Sequence, residues 1–236
     1  MPFMFDYTYV LVLIGLALTF GASILVKTTF AKYSKIPTQR GQSGRDAALE
    51  VLRSGDVYDV GIGAISGNLT DHYDPQTKQI SLSESVCDAR SVAAVGVAAH
   101  EAGHALQHAS GYSPIKLRMA IIPVCNFASR LATPLFLIGI LMTSWIPDGG
   151  IGFMLMKAGI LAFGVAVLFQ VVTLPVEFNA SRRAVAILSA SGKYTAEELE
   201  GVKKVLTAAA LTYVAGLAAS LLQILRLVMI ASNRRK

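Results

Sequence analysis

The stretch AGILAFGVAVLFQVVTLPV, residues 158–176, decides the fold, because it runs without a charged residue from Lys157 to Glu177. About 20 predominantly apolar residues are needed for a helix to cross the hydrocarbon core of a bilayer, which is roughly 30 Å thick. The stretch therefore predicts a transmembrane helix. Glu177 then begins a polar segment that is expected to be helical.

Three further uncharged stretches bring the prediction to about four transmembrane helices. They are residues 7–26, 131–147 and 205–225, and the second is expected to begin nearer Pro123. The composition agrees, since only 15% of the residues are charged, against roughly 25% in soluble domains. Residues 7–26 lack the basic n-region of a signal peptide, so we expect a retained anchor.

Basic residues are concentrated in two connecting segments, after the first and third hydrophobic stretches. They are Lys27, Lys32, Lys35, Arg40 and Arg45, then Arg182, Arg183, Lys193, Lys203 and Lys204. Positive charge favours the cytoplasmic side of the cell membrane, so these segments are predicted inside, and the N-terminus and the link with Asp148 outside. The basic tail Arg234-Arg235-Lys236 would also lie outside, against the rule, unless the last helix does not fully cross. Because the charges flank the spans, anionic lipid headgroups are expected partners rather than nucleic acid.

The one long polar stretch, from Lys27 to about Arg118, predicts a small α+β portion. Residues 45–53 predict a short helix. Alternating residues at Ile80–Ser83, with turn residues near Pro75, predict a small sheet with a hairpin. A second helix is expected to run from Val92 past residue 106.

This second helix carries the HExxH motif, His100-Glu101-Ala102-Gly103-His104. Residues four apart lie on one helical face, so both imidazoles can reach one metal ion. Catalytic zinc sites have three protein ligands and an open position for a water, whose pKa the zinc lowers to about 7. Glu101 lies beside the pair and is the candidate general base. The flanking residues are small and apolar, and a charged Glu is costly on such a helix unless it has a function.

Three residues are candidates for the third ligand. His108 lies about 12 Å along the helix from His100, too far for one zinc with bonds of about 2 Å. Asp148 stands in a Pro-Asp-Gly element like that of site-2-type intramembrane proteases, but one predicted crossing separates it from His104. Glu177 is predicted on the same side as the histidines, which favours a His₂Glu site. Asp148 stays as the alternative.

Four further polar residues are candidates for binding substrate: Asn179, Arg182, Arg183 and His72. The first three share a predicted helix with Glu177 and could contact the substrate backbone or an oxyanion. For the two arginines, lipid or ion-pair contact is slightly favoured over substrate binding. In the strand region, Ile80–Ser83 is predicted to be an edge strand that could pair with an extended substrate.

Residues 97–107, 177–181 and 211–214 resemble the YugP-type neutral zinc metallopeptidases of bacterial membranes, and the resemblance covers nearly the whole chain. It implies a membrane zinc peptidase of the gluzincin kind with His100, His104 and Glu177 as ligands and Glu101 as base. More distantly, the chain is similar to the HtpX heat-shock peptidases and the zinc-dependent CAAX prenyl proteases. In those, an acidic residue often follows the glutamate ligand by four positions. Ser181 stands there, so the carboxylate that would orient a ligand histidine is missing.

The sequence thus predicts a mainly α membrane protein with about four transmembrane helices and a small α+β zincin-like catalytic portion with a short sheet. The predicted segments are an N-terminal anchor at 1–27, a polar portion with the HExxH helix at 28–118, two transmembrane helices at 119–176, a third-ligand helix and connecting segment at 177–204, and a hydrophobic helix with a basic tail at 205–236.

The expected function is zinc-dependent endopeptidase activity, in which a zinc-activated water hydrolyses peptide bonds of membrane-associated or unfolded proteins. One alternative is a site-2-type intramembrane protease that uses Asp148. Another is a non-catalytic, zinc-stabilised membrane scaffold, for which Glu101 would be dispensable. The sequence does not indicate an oligomeric state.

Overall fold

The computed structural model describes residues 7–146 and 150–233, which are mainly helical with one small sheet. The helices are α1 (Tyr9–Tyr33), α2 (Gly44–Ser54), α3 (Val92–Ala109), α4 (Ser113–Trp145), α5 (Gly150–Ala190) and α6 (Ala196–Asn233), and the strands are β1 (Gly61–Ile65), β2 (His72–Asp74) and β3 (Gln79–Ser83). Helices α1, α4, α5 and α6 are long and apolar enough to cross a membrane. The predicted fold class is confirmed.

Each of these four helices extends beyond its hydrophobic stretch. Helix α5 continues through Pro175 to Ala190, so Glu177 lies within the helix and does not begin a new one. Helix α4 likewise contains Pro123 and Pro134. Proline is tolerated in membrane helices because neighbouring groups can satisfy the freed backbone carbonyls.

The chain forms two compact units, as far as its residues are described. One comprises Met1–Gly21, Leu117–Thr173 and Tyr213–Lys236, and the other Ala22–Lys116 and Leu174–Thr212. The second unit contains the sheet, α2, α3 and the parts of α5 and α6 nearest the loop that joins them. The division into five segments made from the sequence stays a prediction.

The sheet has the strand order β1-β3-β2, with β3 parallel to β1 and antiparallel to β2. The predicted hairpin near Pro75 is therefore present, between β2 and β3. The prediction that Ile80–Ser83 is an edge strand is wrong, since β3 is the central strand and both of its edges are paired. The outer strands are β1 and β2.

Helix α3 lies in the core of the second unit, and most of its residues are buried. Ser91 caps its N-terminus, where the Ser91 hydroxyl accepts a hydrogen bond from the backbone N–H of Ala94. Close packing against α5 requires Gly103, because a Cβ there would lie 2.6 Å from the carbonyl oxygen of Ala180. This contact brings the HExxH turn of α3 against the turn of α5 that contains Glu177.

Candidate metal centre

Two elements of the second unit bring three possible metal ligands together. Helix α3 supplies His100 and His104, one turn apart, and α5 supplies Glu177. One donor atom from each residue lies within 4.8 Å of the others. Glu177 Oε2 lies 3.3 Å from His100 Nε2 and 3.5 Å from His104 Nε2. The two imidazole rings stand nearly perpendicular, at 84°, with their centroids 4.7 Å apart.

This donor set fits zinc. Two atoms bound to a tetrahedral zinc at about 2.0–2.2 Å lie about 3.3–3.6 Å apart, and both separations from Glu177 Oε2 fall in that range. Two imidazoles and a carboxylate are also the ligands of one common class of catalytic zinc site. The fourth position of such a site is open to water.

Each histidine uses its Nδ1 for a hydrogen bond, which leaves its Nε2 directed at Glu177. His100 Nδ1 lies 3.0 Å from Ser181 Oγ, and His104 Nδ1 lies 3.0 Å from Gln107 Oε1. Such bonds set the tautomer and ring orientation of metal-binding histidines. Ser181 thus contacts His100, one of the two histidines predicted to be ligands.

The electrostatics of the site favour a positive charge among these side chains. Glu177 is only 3% exposed, so its charge is poorly solvated by water. Burial alone would lower the pKa of His104, but the hydrogen bond with Glu177 and the negative charges of Glu101 and Glu177 outweigh it and raise that pKa. A metal cation would meet the same attraction.

Glu101 is half-buried and directly follows His100 on α3. Two of the candidate substrate-binding residues, Asn179 and Arg183, belong to a hydrogen-bonded group that includes Gln107, the residue that contacts His104 Nδ1. Asn179 Oδ1 accepts hydrogen bonds from Gln107 Nε2 at 3.0 Å and from Arg183 Nε at 2.9 Å. Gln107 had not been singled out in the sequence. It stands three positions after His104, a spacing that places side chains on one helical face.

The other candidates lie elsewhere. Arg182 is exposed beside Ser181. His72 is exposed, with its Nδ1 2.9 Å from the Thr70 carbonyl oxygen, and the ring of His108 packs 5.5 Å from that of Tyr73. Asp148, the alternative third ligand, lies outside the described residues. Substrate binding by Asn179, Arg182, Arg183 and His72 stays a prediction.

Comparison with known proteins gives two matches. Residues 8–232 match the model of a family described as "putative neutral zinc metallopeptidase". The chain is also 47% identical over 225 residues to the "Putative membrane protease YugP" of Bacillus subtilis (strain 168), an alignment that covers 95% of this chain and 96% of the relative. No solved structure matches the chain.

Proposed function

The chain belongs to this neutral zinc metallopeptidase family of membrane proteins, and from that premise we propose that it is a zinc-dependent endopeptidase cleaving membrane-associated or unfolded proteins. The observation that carries the proposal is the convergence of donor atoms from His100, His104 and Glu177 within 4.8 Å, directly beside Glu101. A scaffold needs the three ligands but gives no reason for a carboxylate next to them.

The proposed roles follow from the chemistry of each group. His100 and His104 bind zinc through Nε2, and Glu177 binds it through a carboxylate oxygen. When bound, zinc supplies a Lewis acid that polarises the scissile carbonyl and makes water a nucleophile near neutral pH. Glu101 accepts a proton from the attacking water and passes it to the nitrogen of the leaving amine.

We place this activity at the cytoplasmic face of the cell membrane. The four apolar helices support membrane insertion. The sidedness rests on the basic segments after α1 and after Glu177, which favour the cytoplasm. The expected substrates are therefore polypeptide segments that reach the inner membrane surface.

The substitution Glu101→Gln tests the mechanism, since it preserves size and removes the base. Zinc content should stay near one ion per chain, while hydrolysis of an unfolded protein in detergent falls about 10²–10⁴-fold, the usual cost of losing a general base. Glu177→Ala should lose both zinc and activity. Metal analysis and cleavage assays on the same preparations measure both quantities.

Glu84→Gln is the matched control, because Glu84 is an exposed carboxylate in the same unit, and it should cleave like the parent. Parental activity in Glu101→Gln would refute the mechanism. If the parent binds zinc and cleaves no protein, the scaffold explanation is favoured instead.

A further inference from the structure

Gln107 connects the two helices that carry the proposed ligands. Its side chain is fully buried and makes three hydrogen bonds. Oε1 lies 3.0 Å from His104 Nδ1, and Nε2 donates to the carbonyl oxygen of Val176 at 2.7 Å and to Asn179 Oδ1 at 3.0 Å. Val176 directly precedes Glu177, so one amide contacts both a ligand histidine and the backbone next to the ligand glutamate.

These contacts allow only one orientation of the Gln107 amide. A backbone carbonyl can only accept a hydrogen bond, so the atom facing Val176 must be the amide nitrogen. Asn179 Oδ1 is likewise identified as an acceptor, because it faces Arg183 Nε, and a guanidinium only donates. Reversing Gln107 would set its oxygen against two other oxygens. Its Oε1 therefore faces His104.

The orientation of Gln107 determines which nitrogen of His104 carries the proton. An oxygen opposite Nδ1 requires a proton on Nδ1, which leaves the lone pair on Nε2 for a metal. Arg183 is itself fixed by a second hydrogen bond, because its Nη1 donates to Ser110 Oγ at 3.0 Å. Ser110 directly follows α3. Arg183 and Gln107 thus both donate to Asn179 Oδ1, and Gln107 accepts from His104 Nδ1, so a chain of hydrogen bonds connects Arg183 with His104.

We propose that Gln107, Asn179 and Arg183 are positioning residues that hold His104 in its zinc-binding tautomer. This role rests on the proposed function only in taking His104 as a zinc ligand, not in requiring peptide hydrolysis. It is distinct from the substrate-binding role predicted for Asn179 and Arg183 from the sequence. Losing such a partner of a ligand histidine typically weakens metal affinity 10–100-fold.

Asn179 provides the sharpest test, because it takes part in this chain of hydrogen bonds through its side-chain oxygen alone. Asn179→Asp keeps an acceptor for both Gln107 and Arg183, whereas Asn179→Leu keeps the approximate size and removes it. In detergent-solubilised full-length protein, competition with a chelating dye should show zinc affinity at least equal to the parent for Asn179→Asp. It should fall 10–100-fold for Asn179→Leu and for Gln107→Leu.

Arg182 and Arg183 supply a second comparison. It tests the positioning role even if the leucine variants at positions 107 and 179 do not fold. Arg183→Leu should weaken zinc binding. Arg182→Leu should not, because Arg182 is adjacent, carries the same charge and is exposed. Thermal unfolding of the zinc-free proteins checks that the compared variants are folded.

A spectroscopic measurement separates positioning from general stability. With ¹⁵N-labelled histidine in the zinc-loaded protein, the Nδ1–H of His104 should give a slowly exchanging signal in the parent and in Asn179→Asp. In Asn179→Leu that proton should exchange rapidly with water. Parental zinc affinity in folded Asn179→Leu and Arg183→Leu, or equal loss in Asn179→Asp and Asn179→Leu, would overturn the proposal. Absence of peptidase activity in a zinc-binding parent would overturn only the proposed function.

Discussion

Ser181 contacts His100 through a hydroxyl group, where the resemblance to more distant peptidases would imply a carboxylate. Ser181 Oγ lies 3.0 Å from His100 Nδ1. A carboxylate accepts a stronger, charge-assisted hydrogen bond and makes the imidazole a better ligand. The identity of residue 181 should therefore tune zinc affinity without changing the ligands.

This reasoning predicts a graded series at position 181. Ser181→Ala should bind zinc about tenfold more weakly than the parent, because the bond to Nδ1 is lost, and Ser181→Asp should bind it at least as tightly. Chelator competition measures the three affinities under one condition. Equal affinities would mean that Ser181 does not orient His100.

The sequence predicted which three residues meet at the candidate metal centre better than it predicted the residues that contact them. His100 and His104 come from a local motif, and Glu177 follows from counting crossings, because topology limits which acidic residues can meet the pair. Gln107 could not be identified in this way, since its role depends on the register between α3 and α5. Asn179 was a candidate for binding substrate, and in the structure its Oδ1 accepts a hydrogen bond from Gln107.

At the scale of whole elements, the site depends on how closely α3 approaches α5. A Cβ at Gly103 would lie 2.6 Å from the Ala180 carbonyl oxygen and 3.1 Å from its carbon, both rigid backbone atoms. The helices would have to separate to admit a methyl group. That movement would carry His104 away from Glu177.

Gly103→Ala should therefore destabilise the fold by about 1–3 kcal/mol, as overpacking usually does, and should also weaken zinc binding. Gly96→Ala is the matched control on the same helix, since a Cβ there would first meet Val202 at an ordinary 3.5 Å. That variant should be neutral or more stable, because alanine favours a helix by about 1 kcal/mol over glycine. Thermal unfolding and zinc titration of both variants test the pair. Similar behaviour of the two would contradict the packing argument.

Elements that depend on a local sequence pattern were predicted better than those that depend on contacts between separate segments. The β2–β3 hairpin is local, and turn residues near Pro75 indicate it. The parallel pairing of β1 with β3 joins strands that have β2 between them in the chain, and no local pattern specifies it. Similarly, hydropathy indicates which residues can face lipid but not where a helix ends. The continuation of α5 to Ala190, well past its apolar part, could therefore not be predicted from hydropathy.

At the scale of the whole molecule, the charge pattern predicts how the chain crosses the membrane. With Cys87 and Cys125 replaced by serine, a single cysteine at position 148 should react with an impermeant maleimide on intact cells. Single cysteines at positions 40 and 203 should react only after permeabilisation, because both belong to the basic segments. Positions 40 and 148 reacting from the same face would refute this topology.

The distance along the chain between the proposed ligands bears on biosynthesis. His100 and Glu177 are separated by 77 positions, and all of α4 and much of α5 lie between them. At a translation rate of about 5–20 residues per second, the histidines leave the ribosome about 4–15 s before the carboxylate. A nascent chain without Glu177 has only two of the three ligands. The order of the sequence would then delay the proposed peptidase activity until both helices have been made, without a propeptide or an inhibitor.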